Sequence, residues 1–273
     1  MARRIDHLVV GVRDLDTAAA FYARLGFQVG ARNRHPWGTA NRLIQFGTSF
    51  LELITVGDDP AAIPAHAPRR FSFGAFVRDA LERREGISML VLDSRDAAAD
   101  AERFGAAGIG DFEPFFFQRR GRRPDGGEME VAFTLAFATD PAAPQAGFFV
   151  CEQHRPENFW NTVFQHHPNG ARDIAAVRLA APEPAAHLGF LRTFAGVAET
   201  SGHDTAVPLD GGRIELVAGP APARFAGFAV RVPDLLYVAE RLRSEGIAFD
   251  MEGGRLLVAA DAAFGTAIRF ETA

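Results

Sequence analysis

Runs of alternating apolar residues and runs with helical spacing follow one another along the chain. Residues 5–12, IDHLVVGV, alternate and are β-branched, which predicts a strand. The next segment, DLDTAAAFYARLG, predicts a helix, because Asp14 or Asp16 can cap its start and Gly26 can end it. Three more strand-like runs follow, namely FQVGAR, TANRLIQF and SFLELITV. The first part of the chain therefore predicts a βαβββ unit.

This order of elements recurs three more times. The second copy begins at GISMLVLDS, the third at RDIAAVRLA and the fourth at RFAGFAVRV. We therefore expect an α+β fold of four βαβββ modules in two paired-module halves, with mixed sheets curled into an open cup and helices outside. The predicted boundaries are residues 1–155 for the first pair, with a loop and a short helix at 57–84, residues 156–171 for a connector, and residues 172–273 for the second pair.

Composition narrows the classes of function. The 273 residues are 48% hydrophobic and 23% charged, which is enough for a sizeable core, and the net charge of −5 argues against nucleic-acid binding. No apolar run is long enough for a membrane helix, and a single cysteine excludes an internal disulfide. All 29 basic residues are arginines, so lysine-based catalysis is excluded. These features predict a soluble cytoplasmic protein with a small-molecule substrate, and a homodimer is one expected assembly.

Two stretches resemble a known group of proteins. DHLVVGVRDLDTAAAFYARLGF opens the first unit and GTSFLELI closes it, as in the vicinal oxygen chelate superfamily of glyoxalase I, extradiol dioxygenases and bleomycin-resistance proteins. HPWGTANRLIQFGTSFLELITV, with the later RRPDGGEMEV, is similar to the glyoxalase-like domain branch. The resemblance implies that first and last strands direct ligands for one divalent metal (Fe, Mn, Ni, Co or Zn) into the cup. Open metal positions would then chelate neighbouring substrate oxygens.

His7 matches the first-strand ligand position of that family, and Glu52 fits its last-strand position approximately. Strand alternation predicts that Phe50, Glu52 and Ile54 share one face. A glutamate among apolar neighbours is costly to bury unless it is paired or bound to metal. The alternatives are a histidine hydrogen-bonded to backbone and a glutamate on a solvated face.

The second unit offers only Ile87 and Ser88 where a second first-strand histidine would stand. Its last strand ends FVCEQH, in which Glu152 and His154 share a face by the period of two. We expect Glu152 to complete the metal ligands and His154 to move a proton. The alternative is that EQHRPENFW is a hydrogen-bonding exit loop.

Four further candidates lie in or beside turns. The HPNG turn of the connector carries His167, a second candidate proton carrier, and Asn169, a candidate substrate contact; a simple linker turn is the alternative. In HPWGTAN, Trp37 can stack at the cup rim and Asn41 can donate to a substrate oxygen, although the segment also suits a β-turn at Gly38.

The remaining motifs separate the candidate functions. The run QRRGRRPDGGE predicts a solvated hairpin tip more readily than an anion site, and the many phenylalanines of the second unit favour an apolar or aromatic ligand. In the second half, Ala175 and Ala176 stand where His7 would, and Arg269 takes a last-strand ligand position. The leading hypothesis is a metal-dependent lyase or isomerase acting on a small oxygen-bearing organic substrate. The alternatives are a metal-free sequestering protein of the resistance type and an extradiol-type dioxygenase.

Overall fold

The computed structural model describes residues 2–122, 127–198 and 205–272, and its elements follow the predicted order. The first module consists of β1 (Ile5–Gly11), α1 (Leu15–Arg24), β2 (Asn33–Arg34), β3 (Thr39–Gln45) and β4 (Phe50–Val56). The predicted short helix follows as α2 (Phe73–Arg83). The second module consists of β5 (Gly86–Ser94), α3 (Ala97–Ala106), β6 (Phe115–Arg122), β7 (Glu128–Ala138) and β8 (Gly147–Gln153).

The second half follows a connector that contains the short helix α4 (Pro156–Phe159). Its first module has β9 (Asp173–Ala181), α5 (Leu188–Ala195), β10 (Ala206–Leu209) and β11 (Gly212–Ala218). Its second module has β12 (Arg224–Arg231), α6 (Leu235–Ser244), β13 (Asp250–Glu252), β14 (Arg255–Val258) and β15 (Ala267–Glu271). In the described part of the chain, no helix is both long and apolar enough to cross a membrane.

Two curled mixed sheets confirm the predicted α+β class and the two paired-module halves. The eight strands of the first sheet run in the order β2-β3-β4-β1-β5-β8-β7-β6, and the second sheet runs β10-β11-β9-β12-β15-β14-β13. In each sheet the first strands of two modules pair antiparallel at the centre. Each of these strands pairs parallel with the last strand of its own module.

The central strands carry the same irregularity in both halves. The register of β1 against β5 shifts around Asp6, eight residues before the helix cap Asp14, and shifts again three residues later. The register of β12 against β9 shifts around Ala226, also eight residues before a cap, Asp234, and again three residues later. A bulge of this kind bends the strand and redirects a side chain. The repeat therefore extends to the local backbone of the strands that face the cups.

Strand alternation divides the side chains of the first sheet between two cores. Leu51 and Leu53 of β4 belong to a large core that also contains residues of the second half. Phe50 and Ile54 belong to a second core on the concave face, and Glu52 lies between them as predicted. The two halves thus share one core, while the concave face of the first sheet keeps its own.

An ion pair lies at the centre of the second cup. Val9 pairs with Glu52 in the first half, and Ala229, which has the same spacing from its helix cap, pairs with Arg269. The Arg269 guanidinium donates to the carboxylate of Glu215, and both side chains are largely buried. The predicted position of Arg269 at the last-strand ligand site is therefore confirmed, and its charge is compensated within the cup.

We expect Arg269→Ala to lower the free energy of unfolding by about 2 kcal/mol, because it removes a buried side chain and its ion pair with Glu215, while Arg178 and Arg213 remain beside that carboxylate. The matched control is Arg34→Ala, which removes an exposed ion pair with Asp58 and should change stability by less than about 0.5 kcal/mol. Urea denaturation followed by circular dichroism measures both. Equal effects of the two substitutions would show that the ion pair does not stabilise the second half.

Candidate functional site

A small cavity of about 60 Å³ lies on the concave face of the first sheet, between its two modules. Its polar lining comes from His7, His35, Asn41, Glu52 and Arg119. The rest of the wall is largely aromatic: Trp37, Phe50, Phe73, Phe117, Phe133, Phe149 and Phe159. A few convergent polar groups in an apolar concave wall are typical of small-molecule sites.

His7 owes its orientation to the bulge in β1. Neighbouring residues of a regular strand point to opposite faces, but the register shift lets the Asp6 carboxylate reach the ring of its neighbour. Asp6 Oδ1 lies 2.6 Å from His7 Nδ1, and Gln153 Nε2 donates to Asp6 Oδ2 at 2.7 Å. The His7 ring also stacks on Phe50, with 4.2 Å between centroids. These contacts hold Nδ1 toward the carboxylate and leave Nε2 for the cavity.

Glu52 occupies the centre of the polar group. Its Oε2 lies 3.9 Å from His7 Nε2, and its Oε1 lies 3.8 Å from His35 Nε2. Asn41 Nδ2 donates to Oε1 at 2.5 Å. Glu52 is only 5% exposed, and neither imidazole is within hydrogen-bond distance of it. The carboxylate is therefore buried with one neutral donor.

His35 reaches the cavity from the turn before β3. Its Nδ1 lies 2.8 Å from Thr39 Oγ1, and its ring stacks on Trp37 with 4.5 Å between centroids. Burial lowers the pKa of His35 and Arg119 lowers it further, while Glu52 acts in the opposite direction. The Nε2 atom is directed toward the Glu52 carboxylate, and the lowered pKa favours the neutral ring.

The donor set of this cavity suits a divalent cation. In both His7 and His35, Nδ1 lies next to a side-chain oxygen and Nε2 faces the Glu52 carboxylate. Histidines that bind metal ions commonly have this arrangement, with the second ring nitrogen held by an oxygen. The Oδ1 atom of Asn41 is buried and lacks a hydrogen-bond partner within the described residues. In residues 2–122, 127–198 and 205–272, no three His, Cys, Asp or Glu side chains are already grouped closely enough to hold a metal ion. The types of side chain thus suit a metal ion, whereas the distances between them are wider than in a closed coordination shell.

Helix α2 closes one side of the cavity. Phe73, Val77 and Leu81 pack into the concave core, which places the helix over the sheet. A Cβ on Gly74 would lie 3.0 Å from the carbonyl oxygen of Trp37, so the absence of a side chain permits the close approach of helix and turn. The segment inserted between the modules therefore shields one side of the polar group from water.

Four of the residues predicted to form the site meet in this cavity: His7, Glu52, Trp37 and Asn41. Gly38 has a φ of 84°, which confirms the tight turn beside Trp37. The structure thus unites the predictions made for the first module. Their roles in binding or catalysis stay predictions.

The structure does not bring Glu152 or His154 to this cavity. Glu152 Oε2 accepts from the backbone N–H of Ala97 at 2.9 Å, which places the carboxylate at the start of α3. His154 Nε2 lies 2.7 Å from Thr134 Oγ1 in an exposed position. The facing side chain is instead Cys151, whose thiol pKa is raised by burial and by neighbouring carboxylates. The period of two pairs Glu152 with His154 correctly, but both lie on the face opposite the cup.

His167 and Asn169 also lie away from the cavity. His167 accepts from the backbone N–H of Gln28 at Nδ1, and its Nε2 donates to the carbonyl of Gln45. Asn169 Nδ2 donates to the carbonyl of Leu25. Burial lowers the pKa of His167, which matches a neutral ring held between backbone groups. These contacts fasten the connector to the first module, as in the alternative interpretation of a linker turn.

The second module contributes apolar residues at the positions that correspond to His7 and Glu52. Met89 corresponds to His7, because each lies seven residues before the cap of the following helix. Phe149 corresponds to Glu52, because Phe149 pairs with Val91 in the second module as Glu52 pairs with Val9 in the first. The positions named from the sequence, Ile87 and Ser88, are therefore two and one residues too early. The first strand of the second module therefore contributes no metal-binding side chain at this position, only apolar residues.

Sequence reasoning missed three polar residues of this region. His35 was read only as part of a turn, although its place next to the pair of Trp37 and Asn41 could have suggested it. Regular strand alternation would place Asp6 on the face opposite His7, and the bulge that brings the two together is invisible in the sequence. Arg119 belonged to a run of arginines interpreted as a hairpin tip, of which Arg123 lies outside the described residues.

A larger cleft of about 1080 Å³ approaches the other side of Asp6 and Gln153. Several of its charged residues are already paired, as Arg3 and Arg103 are with Asp100. The side chains of His7 and Glu52 do not line it. The smaller cavity is therefore the better candidate for chemistry.

Comparison with known proteins places the fold in context. Residues 5–194 match the model of the family described as glyoxalase-like domain. No curated protein matches the sequence significantly. A hypothetical protein from Staphylococcus aureus has a TM-score of 0.70 at 12% identity, covering 99% of this chain and 100% of its own.

Two enzymes of known name have similar structures. A mutant of 4-hydroxymandelate synthase from Streptomyces coelicolor has a TM-score of 0.61 at 11% identity, covering 98% of this chain and 92% of its own. A variant of homoprotocatechuate 2,3-dioxygenase from B. fuscum has a TM-score of 0.53 at 10% identity, covering 100% of this chain and 72% of its own. At these identities the likeness is one of fold.

We expect Glu52→Gln to raise the free energy of unfolding of chelator-treated protein by about 1 kcal/mol, because it removes a buried charge and keeps an acceptor for Asn41. Glu102→Gln, on the exposed face of α3, is the control and should change stability by less than about 0.5 kcal/mol. Denaturant midpoints measure both variants. A clear loss of stability in Glu52→Gln would mean that the carboxylate is compensated by the fold itself.

Proposed function

The chain belongs to the glyoxalase-like domain family of the vicinal oxygen chelate superfamily, and from that membership we propose that it is a metal-dependent enzyme acting on a small oxygen-bearing organic substrate. The superfamily includes metal-dependent dioxygenases and isomerases. The substrate would bind in the cavity between the two modules of the first half.

One observation carries this proposal: the buried Glu52 carboxylate lies between two imidazole nitrogens and has no cation within hydrogen-bond distance. A buried charge of this kind is costly unless it is compensated. Two nitrogens and a carboxylate oxygen form a donor set that suits Fe, Mn, Ni, Co or Zn. His7, His35 and Glu52 are therefore the residues that would hold the ion, with His35 in the place foreseen for Glu152.

The bound ion would polarise substrate oxygens and stabilise developing negative charge. The other residues position and shield the donors. Asp6 and Gln153 fix the ring of His7, Trp37 fixes the ring of His35, and α2 covers one side of the cavity. Asn41 lies beside the carboxylate, where its amide can turn toward a substrate oxygen.

Lyase or isomerase chemistry is the first candidate for the reaction, because an ion held by His7, His35 and Glu52 in a largely apolar cavity would stabilise negative charge on a substrate oxygen. Such surroundings strengthen the interaction of a charged group with a developing charge. Ring-cleaving oxygenation is the second candidate, and His35 favours it. Two histidines and one carboxylate are the ligand set of many non-haem iron oxygenases. The identity of the metal distinguishes these candidates.

We expect protein purified without chelator or affinity tag to contain about one equivalent of a divalent transition metal. His7→Ala and His35→Ala should each lower the metal content at least about tenfold, since each removes one of three protein ligands. Elemental analysis by mass spectrometry gives both the amount and the element. Iron would favour oxygenation, whereas zinc, nickel or cobalt would favour the lyase or isomerase.

His154→Ala is the matched control, because His154 lies outside the cavity and should leave the metal content unchanged. Circular dichroism would confirm that each variant is folded. If the wild-type protein contains no metal and takes up none of the five ions, the proposal is wrong. The aromatic cavity would then favour the metal-free sequestering protein.

A further inference from the structure

Arg119 is a cation at the mouth of the cavity. It lies on β6 opposite Val131, and its side chain lines both the inner cavity and an outer groove of about 780 Å³. Leu43 and Phe159 also line both spaces, so the two spaces adjoin there. Arg119 therefore stands between the groove and the cavity that contains Glu52 and the histidines.

The guanidinium has no hydrogen bond or ion pair with the described residues, although it is half-buried. Burial lowers its pKa, and the negative charge of Glu52 opposes this effect. Most other half-buried arginines of the chain donate to carbonyl or carboxylate groups, as Arg84 and Arg213 do. An arginine kept partly out of water without a partner offers five donors to an incoming acceptor.

The neighbouring arginine has a different environment. Exposure alternates along β6, so Arg120 points away from the cavity, is 82% exposed and lies 3.6 Å from Glu130. The two residues have the same side chain on the same strand and face opposite sides. Arg120 is therefore a matched reference for the effect of position.

The sizes of the two spaces restrict the ligand. The inner cavity admits only a few atoms beside Glu52, whereas the groove can hold a larger body along Met129, Phe159 and Trp160. A ligand that spans both places its middle part next to Arg119. Planar guanidinium groups bind carboxylates through two parallel hydrogen bonds.

We propose that Arg119 binds a carboxylate of the substrate, which makes the substrate class small organic acids with an apolar or aromatic body. This assignment rests on the proposed function of the cavity and adds the chemical class of its ligand. The acid would enter along the groove, and Arg119 would hold its carboxylate while a neighbouring oxygen-bearing group reaches the inner cavity.

Two probes of equal shape test the assignment: 4-fluorophenylacetate and 4-fluorophenylacetamide. We expect the acid to bind the wild-type protein at least about tenfold more tightly than the amide, because charge-assisted hydrogen bonds are stronger than neutral ones. Fluorine NMR titration measures weak binding directly. In Arg119→Gln the preference for the acid should vanish, and in Arg120→Gln it should persist.

The titrations are made with chelator-treated and with metal-loaded protein, so that the two proposals fail separately. A preference for the acid that depends on Arg119 in chelator-treated protein supports this assignment, whatever the metal analysis shows. Equal binding of acid and amide to the wild type, no binding of either at millimolar concentration, or a preference that survives in Arg119→Gln would overturn it. Arg119→Lys, which keeps the charge and loses the planar fork, should retain part of the preference.

Discussion

The burial of one carboxylate decides how the concave face of the first half is built. Glu52 sits between Phe50 and Ile54 on a strand whose alternation directs its side chain into the concave core, where it is 5% exposed. Its single hydrogen-bond donor is an amide. Selection for stability alone would favour an apolar residue there, as Phe149 is at the corresponding place in the second module. A fold that keeps the charge must either bind a cation or use the carboxylate in chemistry.

The duplicated half shows the other solution to the same constraint. Its central strands bulge at the corresponding position, so the backbone frame is the same, but its centre contains Arg269 and Glu215. These charges compensate each other within the protein. In the first half the corresponding centre keeps a carboxylate with two imidazoles and a cavity. The first centre differs from the second because its carboxylate has no ion pair with a described residue within hydrogen-bond distance, and Arg119 acts on it only from farther away. This contrast is the physical basis for assigning chemistry to the first half.

The fold could be predicted from the sequence because its elements are determined by short-range patterns. Alternating apolar residues, aspartate caps and terminal glycines marked the modules, and the same alternation placed Glu52 and His7 toward the cup. The errors at the site arose where a single residue of register matters. Glu152 and His154 were paired correctly by the period of two, yet which face meets the cup depends on neighbouring strands. The contact of Asp6 with His7 needs a bulge, and a bulge has no pattern in one strand.

The two modules contribute different kinds of side chain to the cavity, and this difference determines the orientation expected of a ligand. His7, His35, Asn41 and Glu52 all come from the first module, whereas the second supplies aromatic wall and Arg119. A symmetric cage would accept a ligand in either direction. Here the oxygen-bearing end must face the first module, because only that side offers nitrogen and carboxylate donors. Arg119, on β6 of the second module, disfavours the reverse orientation. A ligand bound in reverse would have its carboxylate beside Glu52 and its apolar body beside the Arg119 cation.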